Sequence, residues 1–266
     1  MSKKWMVLAA LCALPTLAHA DERKKFYFRA GVAAVMPLES SNEMELDGVD
    51  GPASLAIQDG PIAGSGATVS NAVAFAATIG WNTPWLDKRL AIETIIGLPF
   101  TLTFEATGTL ANESLAPEAL GLPTGVMPLG PQLGEAKAIP IVATGTYDLV
   151  VGKRVRPYAG GGIAVMFATG EKVTNPTLTE LGEPDMKVSP APGLVLQGGL
   201  DFKVANRVYA RLDVKFIALM YARARVEHVE VATPDLPLFG STEVGTARMS
   251  MWVNPLIIQA GVGTDF

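Results

Sequence analysis

After residue 20, this 266-residue sequence holds one histidine, His228. With Ser241 and the acids Glu227 and Glu230 nearby, it has the residue types of a hydrolytic centre, in which a base activates a hydroxyl nucleophile. Nothing in the spacing brings a serine into register with it, and a histidine in a loop is usually solvated. No enzymatic centre is expected. The acids Glu39, Glu43, Glu45, Asp47 and Asp50 have the chemistry to bind a divalent cation, but they miss the calcium-loop spacing. They read as a solvated acidic loop, with no metal and no cofactor. What remains is ion pairing. In Arg207–Val226 (RVYARLDVKFIALMYARARV), Arg211, Asp213 and Lys215 recur at every second position. Asp213 is placed to serve both cations.

A spacing of two is the period of a strand, so these three side chains share one face. Val208, Ala210, Leu212, Val214, Phe216, Ala218, Met220 and Ala222 occupy the other. The charged face turns apolar in its second half, at Ile217 and Leu219. A strand of this length, apolar on one side and graded on the other, fits lipid outside and a narrow protein interior inside.

The same period recurs in Lys25–Pro37, Ala72–Trp81, Arg89–Thr103, Ala138–Leu149, Arg154–Phe167, Gly193–Lys203 and Ala247–Phe266. The three consecutive glycines of Arg154–Phe167 leave its faces unassigned. The connections alternate: long Leu38–Asn71, short Asn82–Lys88, long Phe104–Lys137, short Val150–Lys153, long Ala168–Pro192, short Val204–Asn206, long Glu227–Thr246. Asn112–Leu120 is a candidate helical turn. Eight strands joined by alternately long and short connections predict an all-β fold, an eight-stranded antiparallel transmembrane β-barrel with long extracellular loops and short periplasmic turns.

Composition agrees. Residues 1–20 read as an export signal: Lys3 and Lys4, an apolar run from Met6 to Leu17, then Ala18-His19-Ala20. Residues 21–266 form the barrel. The only cysteine, Cys12, lies in the signal. Its removal leaves 246 residues without cysteine, and losing Lys3 and Lys4 moves the formal charge from −5 to −7. Nothing in that balance favours nucleic acid, which asks for clustered basic charge, and none is expected as a partner. The sequence is 49% hydrophobic, yet no stretch after the signal has the ~18 uninterrupted apolar residues of a spanning helix. The bacterial outer membrane is the expected location.

Height along each strand then orders the interior. Arg29, Glu93, Asp201, Lys203, Arg211, Asp213, Lys215, Gln259 and Asp265 fall near the periplasm. Val35, Ile95, Pro99, Val142, Val195, Ile217, Leu219, Val253 and Ile257 fall nearer the outside. A barrel of this size is just wide enough for its own side chains or one small ligand, and buried charges must pair. A polar plug below an apolar cup follows, with Ile95, Val195, Ile217, Leu219 and Ile257 as the ligand path. A barrel packed solid throughout is the competing reading. Pro99 and Pro255 interrupt strands where a closed ladder needs an N–H. They mark either bulges or, at Pro99 on the inward parity, a lateral exit. Arg223 and Arg225 fall at the outer rim, where lipopolysaccharide phosphates lie. Phe266, the last residue, is a lipid-facing aromatic.

Several stretches, taken in order, resemble the OmpW family of small outer-membrane barrels: AGVAAVMP (Ala30–Pro37), GLPF (Gly97–Phe100), AIPIVATGTYDL (Ala138–Leu149), RPYAGGGIAVMF (Arg156–Phe167), LVLQGGLDF (Leu194–Phe202), RLDVKFI (Arg211–Ile217) and NPLIIQAGVGTDF (Asn254–Phe266). The chain departs from the family at Thr264, where an aromatic residue is usual. The resemblance implies a narrow hydrophobic channel that passes small hydrophobic molecules sideways into the membrane, and a role for Phe266 as the signal read by the barrel-assembly machinery. Outer-membrane lipids, lipopolysaccharide and a small hydrophobic ligand are the other expected partners. The alternative is a structural, adhesion or receptor barrel whose extracellular loops carry the function.

Overall fold

Inward and outward residues alternate along strands that pair with both neighbours, so the sheet closes on itself. The computed structural model of the protein describes residues 24–150, 154–218, 220–236 and 240–266. The export signal and Leu219 lie outside these residues. Eight strands make the wall: β1 (Phe26–Met36), β2 (Ala72–Asn82), β3 (Leu90–Gly97), β4 (Gln132–Asp148), β5 (Val155–Val173), β6 (Ala191–Ala205), β7 (Val208–Ala218) and β8 (Leu256–Asp265). Each pairs antiparallel with its sequence neighbours, and β8 closes on β1 from Tyr27↔Asp265 to Met36↔Leu256.

The outer surface is exposed hydrocarbon: Val73, Phe75, Ile96, Leu98, Ile141, Leu196 and Val262 are each more than half exposed. No helix among the described residues is long and apolar enough to cross a membrane. The strands themselves present the apolar band. Closure ends at Phe266, whose backbone exchanges hydrogen bonds with Phe26 (3.0 and 2.8 Å) while the two rings stack at 6.3 Å.

The segments expected to be loops contain further strands, because the barrel wall continues beyond the membrane. Phe100–Gly108 pairs with β4 and with Ser65–Val69. Tyr221–Glu227 pairs with Thr246–Val253, which pairs in turn with Glu39–Ser41 and Glu45–Asp47. Three expected single strands are therefore broken. Arg207–Val226 divides into β7 and Tyr221–Glu227, Arg89–Thr103 divides at Leu98–Pro99, and Ala247–Phe266 divides at Asn254–Pro255 into Thr246–Val253 and β8. The helical turn forms slightly earlier than expected, at Thr109–Asn112.

Facing reverses at the first two breaks. In β7 the buried residues are odd-numbered, whereas in Tyr221–Glu227 the even-numbered Ala224 and Val226 turn inward and Arg223 and Arg225 are exposed. An unbroken period of two would turn those arginines inward; the reversal instead places them on the outer face, as expected of rim residues. At Pro255 no reversal occurs: Ile217 N–H donates to its carbonyl (3.0 Å), and Asn254 exchanges backbone bonds with Leu38. The wall stays closed there.

Candidate functional site

The interior is built in three levels. At the periplasmic level, side chains from six strands form one network. Arg29 donates to Asp265 (2.6 Å) and lies 3.5 Å from Asp201. Arg156 meets Asp265 at 3.3 Å. Arg211 grips Asp201 with two nitrogens (2.7 and 3.0 Å) and reaches Glu93 with a third (2.7 Å). Asp213 accepts from Lys215, Tyr158 and Gln197, and Gln197 also donates to Glu93 (2.9 Å). Tyr27 donates to Glu93. Arg29 and Arg211 both stack on Tyr27, and Arg156 stacks on Tyr209. Arg29, Glu93, Asp213, Lys215 and Gln259 are each no more than 2% exposed. Burying ions is costly unless each is paired and hydrogen-bonded. Here each carboxylate accepts from at least two donors.

Six of the seven residues expected in the plug (Arg29, Glu93, Asp201, Arg211, Asp213 and Lys215) meet in this network, whereas Gln259, buried opposite Asp213, donates to the Ala76 carbonyl (3.2 Å) and borders a small cavity between β2 and β3. One detail is corrected. Asp213 does not serve Arg211, which turns instead to Asp201 and Glu93. Tyr27, Arg156, Tyr158 and Gln197 are members that the sequence reading omitted. Arg156 and Tyr158 sat on the strand whose glycines hid its faces. Two glycines make room for the tyrosines. A Cβ at Gly80 would overlap the Tyr27 ring, and one at Gly199 would overlap Tyr158.

Above the network lies a packed apolar layer of Ala33, Val35, Val142, Val195, Ile217, Met220 and Ile257, with Ile95 against it. Four of the five residues expected to line a ligand path, Ile95, Val195, Ile217 and Ile257, are therefore together. They form a septum with little free space. The larger cavity lies higher, within the extramembrane continuation of the wall. It measures about 130 Å³ and is lined by Met44, Leu46, Phe104, Leu129, Val226 and Met249, among others. By comparison, a wholly apolar cavity of roughly 150 Å³ takes up benzene. Leu102 and Ala222 pack against both the septum and the cluster around this cavity. The cavity lining escaped the sequence reading because it comes from segments whose Gly, Ser and acids mark turns. The signal available was the scatter of Met44, Leu46, Leu115, Val229 and Val231 within them.

Beside the septum the wall is interrupted. The β2–β3 ladder ends at Ala76↔Gly97, with one further bond from Leu98 N–H to Phe75 O (3.3 Å). Pairing resumes only where Ser70 N–H donates to Thr103 O (2.9 Å), followed by Val69↔Phe104. The reason is pleat phase. β2 presents even-numbered residues inward as far as Ala72, whereas Ala67 and Val69 before it turn inward on odd numbers. β3 presents odd-numbered residues inward up to Gly97, whereas Phe100 and Ala106 turn inward on even numbers. Between these two reversals, opposed residues point to opposite sides and cannot pleat together. A cavity of about 30 Å³ sits in the interruption, between lumen residues (Ala33, Ile257) and surface residues (Phe75, Leu98). Pro99 lies at this height but is exposed outward, contrary to its expected inward parity.

The other candidates are dispersed. His228 lies 3.8 Å from Asp185 on the surface. Glu39 and Glu43 accept backbone N–H groups of Val69 (3.2 Å) and Gly64 (2.8 Å), and Asp47 pairs with Arg248.

The OmpW family model matches residues 22–266. Among solved structures, the outer membrane protein OprG from Pseudomonas aeruginosa is similar at 18% identity, covering 94% of this chain and 98% of that one, with a TM-score of 0.68. The outer membrane protein AlkL, determined in lipid bilayers, is similar at 16% identity over 95% of each chain, with a TM-score of 0.53. No curated protein matches the sequence.

Proposed function

The chain belongs to the OmpW family and is a barrel of the bacterial outer membrane, and we propose that it is a channel for passive uptake of small hydrophobic molecules. The ligand enters the extramembrane apolar cavity, crosses the septum near Leu102 and Ala222, and leaves through the interruption between β2 and β3. The observation that supports this reading most is the stacking of an apolar cavity and a broken wall above a sealed, charged floor.

Energetics set the direction. Moving down would strip the ion network of its partners, at several kcal/mol per ion. Moving sideways keeps the ligand in hydrocarbon, where each CH₂ withheld from water contributes about 0.8 kcal/mol. A lateral opening is tolerable in lipid only where few backbone groups are left unpaired. Here Ala72–Phe75 keep their pairing to β1, Phe100 and Thr101 keep theirs to β4, and Pro99 has no N–H.

The test is uptake of a small hydrophobic compound by cells carrying wild type or Met251→Arg, which puts a charge in the cavity, at matched outer-membrane levels. Uptake is expected to fall at least fivefold. Wild-type uptake by the variant would favour the structural or receptor barrel.

A further inference from the structure

The outward face of the extramembrane sheet is layered by charge. Across Asp185–Val188, Tyr221–Glu227 and Thr246–Val253, register places Lys187 beside Arg225 and Arg225 beside Arg248. Their side chains are 71%, 49% and 51% exposed. The row above is acidic: Asp185, Glu227 and, on the next strand, Asp47. The row below holds Arg223 beside Ser250, with Asn42 bonded to Ser250. Below that, Tyr221 and Trp252 pack at 5.0 Å. Lower still, the face is bare hydrocarbon, with Leu194 53% and Leu196 64% exposed.

We infer that this face binds the phosphate groups of the glycolipid in the outer leaflet. Aromatic pairs of this kind mark the edge of the hydrocarbon. Rows on one face are two residues apart, about 6.8 Å along a strand and, at a tilt near 40°, about 5 Å in height. The headgroup layer on each side is roughly 5–8 Å thick. Arg223, about 5 Å above the aromatic pair, therefore stands within that layer, and the Lys187–Arg225–Arg248 row, about 10 Å above it, stands just outside, where its long side chains reach back to the layer.

Like charges directly opposite one another in a sheet are unfavourable. Glu227 offsets Lys187 and Arg225 (3.5 and 2.6 Å) and Asp47 offsets Arg248 (2.5 Å), all from the row above, while Glu45 ends the row beside Arg248. Arg223 lies over the Tyr221 ring, and no carboxylate is within ion-pairing distance of it among the described residues. Among the described residues, no carboxylate forms an ion pair with the cationic row from its lower, lipid-facing side. A free anion on an open sheet face would stay solvated. Two phosphates on one lipid span the row while its acyl chains cover Leu194 and Leu196. This inference concerns the membrane surface and does not depend on transport.

The test is native mass spectrometry of the folded protein in detergent, titrated with bis-phosphorylated lipid A and with the same lipid dephosphorylated. Wild type is expected to retain the phosphorylated form at least tenfold more tightly. Arg223→Gln/Arg225→Gln/Arg248→Gln should reduce that preference to within twofold, and the corresponding triple lysine variant should keep it. If the glutamine triple is no longer heat-modifiable, Arg223→Gln alone carries the test, with an expected loss of about threefold. Equal retention of the two lipids by wild type, an undiminished preference in the glutamine variants, or release of the lipid by millimolar inorganic phosphate would each overturn the inference.

Discussion

Ala74 and Pro99 stand opposite each other in the continued register of β2 and β3, yet Ala74 lines the lumen side of the interruption and Pro99 is exposed on the outside. Opposed facing holds the strands apart, and the missing proline N–H is secondary. Pro99→Val restores a donor without restoring phase. We expect it to fold normally and to change uptake by less than twofold. A severe loss of uptake would show that the missing N–H itself keeps the wall open.

The floor depends on Asp213. Asp213→Ala leaves Lys215 buried with its nearest carboxylate removed, and should destabilise the barrel by about 3–5 kcal/mol. Val214→Ala, on the lipid side, should cost less. Denaturant unfolding from lipid bilayers reads both. Equal midpoints for Asp213→Ala and wild type would mean that the lower interior is hydrated.

Gly80 tests the packing of the same network from the opposite wall. Gly80→Val should displace the Tyr27 ring from Glu93, at about 1–3 kcal/mol for overpacking. Gly97→Ala serves as the control, because a Cβ there meets only the Phe75 carbonyl oxygen at 3.8 Å. If both variants unfold at the same midpoint, the Tyr27–Gly80 contact contributes nothing specific.

Phe266 stacks on Phe26 at the seam where the barrel closes. Deleting it should leave the chain degraded or aggregated in the periplasm. Wild-type amounts of heat-modifiable protein in the outer membrane after the deletion would contradict an assembly role.

The wall was legible because lipid on one side and a narrow lumen on the other impose a strict period of two on Phe26–Met36 and Val208–Ala218. The plug was legible for the same reason: Arg211, Asp213 and Lys215 are charges at inward parity. Parity fails where a strand reverses its facing. Pro99 was therefore placed on the wrong side, and nothing in its neighbours' types announces the reversal. The apolar cavity was hidden for another reason. Beyond the membrane there is water outside and no lipid, so Met44, Leu46 and Met249 turn inward among acids and glycines without a long alternating run. Which carboxylate Arg211 chooses depends on strands far apart in sequence, and no local pattern encodes it.

The claim that ligands leave through the wall is tested most directly by comparing two variants in one uptake assay at matched outer-membrane levels. Ala74→Phe fills the small cavity in the interruption, and Asp213→Asn loosens the floor while keeping its shape. The account predicts that Ala74→Phe lowers uptake of a small hydrophobic compound at least fivefold and that Asp213→Asn leaves it unchanged. Undiminished uptake through Ala74→Phe, together with faster uptake through Asp213→Asn, would place the route down the lumen and contradict the lateral exit.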